Sequence, residues 1–145
     1  MPYTKASQEI RMFNRFYTNI IGVVDRRILH TPYSLTEARI LFEIFHDPSC
    51  TARRIKKILQ VDEGYLSRTI DKLIKLGLIT RKQLQSDGRV RILSLSKKGE
   101  RELLKINEAA EASVKSMIEH LSPDEVDEIL VLMRRIQELL AKKGI

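Results

Sequence analysis

Apolar residues return every three or four positions between Ser7 and Leu29, at Ile10, Phe13, Tyr17, Ile20, Ile21, Val24 and Ile28. That period predicts one helix with a single apolar stripe. Pro32 pushes Thr31 out of the helical region and breaks the stretch. Ser34-Leu35-Thr36-Glu37 then spells a capping box that opens a second helix, with Ile40, Leu41, Ile44 and Phe45 inward. Asp47-Pro48-Ser49 closes it, and Thr51 caps a short third helix that buries Ile55, Ile58 and Leu59. Asp62 caps a fourth, where Glu63 suits the positive helix end, Leu66, Ile70, Leu73 and Ile74 form the inner stripe, and Gly77 terminates the turn.

The period then switches to two. Residues 78–82 and 90–95 read as strands around Ser86-Asp87-Gly88-Arg89, whose Asp-Gly pair is a turn signal, so a β-hairpin is predicted. Ser96 caps a long helix carrying Leu103, Ile106, Ala110, Val114, Met117 and Leu121. Ser122-Pro123-Asp124-Glu125, a second capping box with proline at the first helical position, opens a last helix bearing Val126, Ile129, Leu130, Met133, Ile136 and Leu140. The expected fold class is mainly α with a small hairpin wing, in one domain over residues 1–145. Apolar stripes on the terminal helices, residues 7–29 and 100–143, exceed what a single chain of this size covers, which predicts a homodimer built from them.

Charge changes this picture most. The chain of 145 residues has a formal net charge of +7, and all of it lies between Thr51 and Arg91, where eleven cations face four anions. The remainder is balanced. Excess positive charge confined to one module predicts a polyanion footprint, and nucleic acid is the first partner to consider. A short helix, a tight turn, a second helix and a hairpin form the winged helix-turn-helix order, here residues 34–99, in which the second helix of the pair enters the DNA major groove.

A fourth helix docked by its inner stripe turns Tyr65, Ser67, Arg68 and Lys72 toward DNA. Arg68 suits guanine through two bonds, whereas Ser67 and Tyr65 suit phosphate or a base edge. Arg53, Arg54, Lys56 and Lys57 form a phosphate-facing group, and Arg89 and Arg91 a wing group with Arg81 and Lys82. Arg89 at the wing tip is placed for a minor groove, and Asp87, next to Gly88, is expected to hold the turn and orient Arg89.

Other chemistry is sparse. Cys50 is the single cysteine, so no intramolecular disulfide forms, and its setting gives little support for a reactive thiol. His30, His46 and His120 lack short ligand spacing and no second cysteine helps, so a metal site is not expected; the reading includes neither a cofactor nor enzymatic activity. No apolar run reaches the roughly 18 to 20 residues of a membrane span and no secretory signal is evident, so the expected location is the cytoplasm, away from membranes.

Three segments carry a resemblance to a known family. Ser34-Leu35-Thr36-Glu37-Ala38-Arg39 opens the second helix, Asp62-Glu63-Gly64-Tyr65-Leu66-Ser67-Arg68 opens the fourth, and Asp87-Gly88-Arg89 leads into a strand followed by Ser96-Lys97-Lys98-Gly99. Together they resemble the MarR family of winged-helix repressors, the Asp-x-Arg wing signature being the most specific. The resemblance implies an interlocked homodimer on a pseudo-palindromic operator. It also implies a pocket for a small aromatic or other effector between the first, second and fifth helices, for which Phe13, Phe16, Tyr17, Phe42 and Phe45 are candidates. Phe13-Asn14-Arg15-Phe16-Tyr17 is similar to a branch of the family often fused to an N-acetyltransferase domain. The reading is therefore a homodimeric, sequence-specific repressor on double-stranded DNA, released by an effector. A regulatory or docking module of a larger N-acetyltransferase, and a winged helix that binds protein, are the alternatives.

Overall fold

In the computed structural model the described residues are 2–21, 23–24 and 27–142, with the backbone alone described at 2, 3, 23, 24, 27 and 28. Helix α1 spans Pro2–Ile21, strands β1 (Val23–Val24) and β2 (Arg27–Ile28) pair antiparallel, and helices α2 (Leu35–His46), α3 (Ala52–Leu59) and α4 (Glu63–Lys75) follow. Strands β3 (Ile79–Gln83) and β4 (Arg91–Leu95) form the wing, and α5 (Lys97–Ile118) and α6 (Pro123–Leu140) complete the chain.

The caps expected from sequence set these boundaries. Ser34 and Ser122 each form a complete capping box, with Glu37 and Glu125 reaching back to the cap amides. Thr51, Asp62 and Ser96 accept from Arg54, Tyr65 and Gly99. Gly77 turns the chain out of α4 at φ 77°, a conformation glycine adopts without penalty.

The first helix departs from expectation. It ends at Ile21 instead of reaching Leu29, and the predicted stripe positions Val24 and Ile28 lie in the β1–β2 pair; residues 22, 25 and 26 lie outside the described set. β-Branched side chains favour the extended backbone, and Leu29 and His30 take φ of 54° and 59°, which no right-handed helix accommodates. Phe45, expected inward on α2, is exposed, because Ile40, Leu41 and Ile44 define the buried arc and Phe45 lies roughly a quarter-turn from its centre. Ile58 is likewise exposed at the rim of α3.

The core belongs to the middle of the chain. Ile40, Leu41, Ile55, Ile70, Leu73, Leu78, Ile79 and Leu93 are almost fully buried and, with Tyr33, Ala38, Ile44, Cys50, Leu66, Leu103 and Ile106, make one cluster. Every buried side chain of that cluster comes from residues 33–106, and α6 contributes none. The wing hairpin pairs Ile79 with Leu95 and Gln83 with Arg91 at its two ends, which puts Ile79 and Leu93 on the face toward the helices. Leu93 N–H also donates to the carbonyl of Cys50 at 2.8 Å, tying β4 to the α2–α3 turn. Where the wing meets α5, the Ser96 amide donates to Leu78 O and its hydroxyl to Gly77 O. A Cβ on Gly99 would stand 2.1 Å from Leu78 O, so this approach of helix to strand needs glycine.

Candidate nucleic-acid interface

Helix α4 is held by its buried stripe of Leu66, Thr69, Ile70 and Leu73, which leaves Tyr65, Ser67, Arg68 and Lys72 on its exposed side. Asp62 fixes the start of the helix by accepting the Tyr65 amide at 3.0 Å, and Thr69 Oγ1 donates to Tyr65 O at 2.8 Å. A Cβ on Gly64 would press against the Arg68 guanidinium at 3.2 Å, so this glycine, one turn earlier, makes the room in which that side chain lies. From sequence Gly64 is an outward position of this helix with no role of its own; a glycine four residues before an exposed arginine is the pattern that carries one.

The cations of the basic stretch divide by partner. Arg54 pairs with Asp47 at 2.8 Å, Lys56 with Glu63 at 3.2 Å, Arg81 with Asp71 at 3.4 Å, and Lys72 with Glu37 at 2.9 Å. Arg53, Lys57, Arg68, Lys75, Lys82 and Arg91 have no carboxylate partner among the described residues. These six side chains lie on α3, α4 and the wing, all exposed. Between α3, α4 and β3 a cleft of about 370 Å³ is lined by Arg53, Lys56, Ser67 and Arg81, with Leu66 and Ile70 at its floor. Of the expected set, the structure thus brings Arg53 and Ser67 together, and Lys56 and Arg81 with them. Lys72 is directed instead to α2.

At the wing tip Asp87 Oδ1 accepts the Arg89 amide at 3.0 Å and lies 3.6 Å from Arg89 Nε. The Val90 amide closes a turn on Asp87 O at 3.0 Å, and Gln83 Nε2 donates to Gly88 O. The expected Asp-Gly hairpin signal takes another form here, since Gly88 does not adopt a positive φ and the strands are joined by seven residues, 84–90. Arg89 stands clear of the body with its side chain 95% exposed.

Glu37 supplies the main perturbed charge nearby. Burial pushes its carboxyl up, but the Ser34 amide and Lys72 outweigh burial and the net shift is downward. Cys50 is buried, and its thiol is pushed up to about 11 by burial and by Asp47, against a smaller opposing effect of Arg54. At neutral pH it is a protonated core thiol.

The five aromatic candidates for an effector site do not all meet. Phe13 and Tyr17 stack at 5.6 Å and, with Phe16, line an apolar groove of about 440 Å³ between α1 and α6, completed by Met117, Leu132 and Ile136. Phe42 and Phe45 gather around His46 on the outer side of α2, with ring centroids 4.1 and 5.2 Å from it. Among the described residues there is no group of three or more His, Cys, Asp or Glu side chains arranged to hold a metal ion. No described helix is long and apolar enough to cross a membrane.

Comparison with known proteins adds to this geometry. Residues 33–90 match the MarR family. Over 89 residues the chain is 28% identical to the HTH-type transcriptional regulator BilQ of Clostridium symbiosum, a match that covers 61% of this chain and 62% of BilQ's length. The fold is similar to that of Streptococcus pneumoniae FabT, solved in complex with DNA, with a TM-score of 0.76 at 22% identity over 95% of this chain and 96% of that one. It is also similar to apo MarR from E. coli, with a TM-score of 0.71 at 21% identity over 90% and 95% of the two chains.

Proposed function

We propose that this chain, which matches the MarR family over residues 33–90, is a DNA-binding transcriptional regulator of that kind, acting as a homodimeric repressor in the cytoplasm. One observation carries the reading. The whole net charge is built into α3, α4 and the wing, the elements of a winged helix-turn-helix, and six cations of that stretch are exposed without a carboxylate partner among the described residues. Arg68, Ser67 and Tyr65 on α4 read base edges and adjacent phosphates in the major groove; Arg53 and Lys57 grip the backbone; Arg89 enters the minor groove, with Arg91 behind it on phosphate. Asp87 and Gly88 shape the turn that presents Arg89. In this reading DNA is bound without chemistry on it, and no cofactor takes part.

The dimer rests on the apolar faces that a single chain leaves uncovered on α1, α5 and α6. Two copies joined there place two α4 helices about 34 to 36 Å apart, one turn of duplex, on a pseudo-palindromic operator. The groove beside Phe13 and Tyr17 is the candidate effector site, with Phe42 and Phe45 outside it. An effector releases the operator only insofar as it binds one arrangement of the dimer better than the other.

Titration of random duplex DNA at rising salt tests the reading. We expect binding at low salt that falls steeply with log[salt]. Absence of binding at low salt removes DNA as the partner and leaves a winged helix that binds protein.

A further inference from the structure

Helix α4 is braced by ion pairs on three sides. Lys56 of α3 holds Glu63, Arg81 of β3 holds Asp71, and Lys72 itself reaches Glu37 of α2. The first two pairs are between exposed groups. The third differs, because the Glu37 side chain is only 7% exposed. It is also the one ion pair or hydrogen bond joining α4 to α2 among the described residues.

Glu37 cannot readily give up that partner. Its Oε1 is committed to the Ser34 amide at 2.9 Å in the capping box, and its Oε2 is buried without an aligned hydrogen-bond donor. The Lys72 ammonium at 2.9 Å, off the hydrogen-bond direction, is therefore the charge that compensates Oε2. Withdrawing it toward a phosphate would strand a carboxylate out of water, a strongly unfavourable exchange. Arg68 and Lys75, on the same exposed side of α4, carry no such commitment. The clamp also lies close to the scaffold, since Tyr33, just before the capping box, is buried in the same cluster as Leu103 and Ile106 of α5.

We propose that Lys72 is a positioning residue, held by Glu37 so that the recognition helix takes one fixed rotation against α2, and not a phosphate contact. Its effect on DNA rests on the DNA-binding function proposed above; the clamp itself does not.

Lys72→Gln and Glu37→Gln, made singly and together in the full chain, separate the two roles. Glutamine at position 37 keeps an acceptor for the Ser34 amide, so that variant removes charge and spares the cap. Each single change is expected to weaken binding to a selected operator about tenfold, with the double variant no weaker than the weaker single, as coupled partners behave. The slope of log affinity against log[salt] should stay at the wild-type value. A slope reduced by about 0.9 in Lys72→Gln, with Glu37→Gln binding as tightly as wild type, overturns the proposal and makes Lys72 a phosphate contact.

Backbone hydrogen exchange provides the DNA-free measurement. Amides from Thr69 to Lys75 should exchange faster in both single variants, and unchanged exchange there also overturns the clamp. A wild-type protein that ignores DNA removes the proposed function, while exchange still decides whether the clamp exists.

Discussion

The winged module and the terminal helices are built on opposite terms. Residues 33–106 contain the entire buried cluster, including eight large side chains almost without exposure, and all of the net charge lies in their basic stretch. Helix α6 is also rich in apolar residues but has no fully buried one; Val126, Ile129 and Met133 are half-buried, and Leu130, Val131, Leu132, Ile136, Leu139 and Leu140 are exposed, as are Ile10, Phe13 and Phe16 of α1. Apolar surface left in water contributes nothing to stability until something covers it. The lesson is that one half of the chain covers its own apolar side chains, whereas the other leaves them uncovered, as the proposed dimer requires.

The largest effect that could break this comparison lies on the uncovered side. Leu132→Asp with Ile136→Asp should turn a dimer into a monomer of 16.8 kDa by sedimentation at micromolar concentration, and should abolish binding to a two-half-site operator. A chain that sediments unchanged would mean that α6 meets no second copy. On the covered side, Leu41→Ala should cost about 2 to 5 kcal/mol in denaturant unfolding, and that loss should not depend on protein concentration. Gly99→Ala, which drives a methyl into Leu78 O, should cost about 1 to 3 kcal/mol by the same measurement and loosen the wing from α5.

Smaller effects sharpen the comparison without breaking it. Arg68→Ala should cost about 1 to 3 kcal/mol of discrimination at one base pair per half-site, with stability unchanged; a uniform loss across sequences would make it a phosphate contact instead. Arg89→Ala should weaken binding and flatten a preference for narrow A·T-rich flanks, because that side chain stands almost fully exposed, with Asp87 of its own turn as its ion-pair partner. Smallest of all, Cys50 should resist iodoacetamide at pH 8 in the folded protein and react once per chain in denaturant. Its raised pKa means that the thiol keeps its proton until pH approaches about 11. The associated stability is complete below the unfolded value of about 8.5 and disappears as pH rises from there.

What sequence made legible follows from whether the cause is local. A capping box closes within four residues, so Ser34 and Ser122 mark their helices without knowledge of the rest of the fold. The period of α4 and the glycine after it are equally local. The end of α1 was not legible, because an uninterrupted apolar period continued past Ile21 while the β1–β2 pairing and the left-handed Leu29 and His30 overrode it.

Within the candidate site, charge located the surface but not the division of labour on it. Lys72 and Arg68 have the same exposed helical setting in sequence, and only the approach of α2 gives one of them a buried carboxylate. Phe13 and Phe42 likewise have similar helical patterns, yet tertiary packing sends one into a groove and the other to the outside of α2.

The bond from Leu93 to the carbonyl of Cys50 has a consequence for the protein at high concentration. A two-stranded ribbon offers main-chain donors and acceptors along both outer edges, and such edges invite strand-by-strand growth into insoluble stacks. Here the middle of the β4 edge is already engaged by the α2–α3 turn, and the β3 strand carries Lys82, exposed and without a carboxylate partner among the described residues, whose charge opposes the approach of a second ribbon. Crowded chains are thereby steered away from open-ended backbone pairing and toward side-chain contact between helices, which a two-fold arrangement can bring to an end.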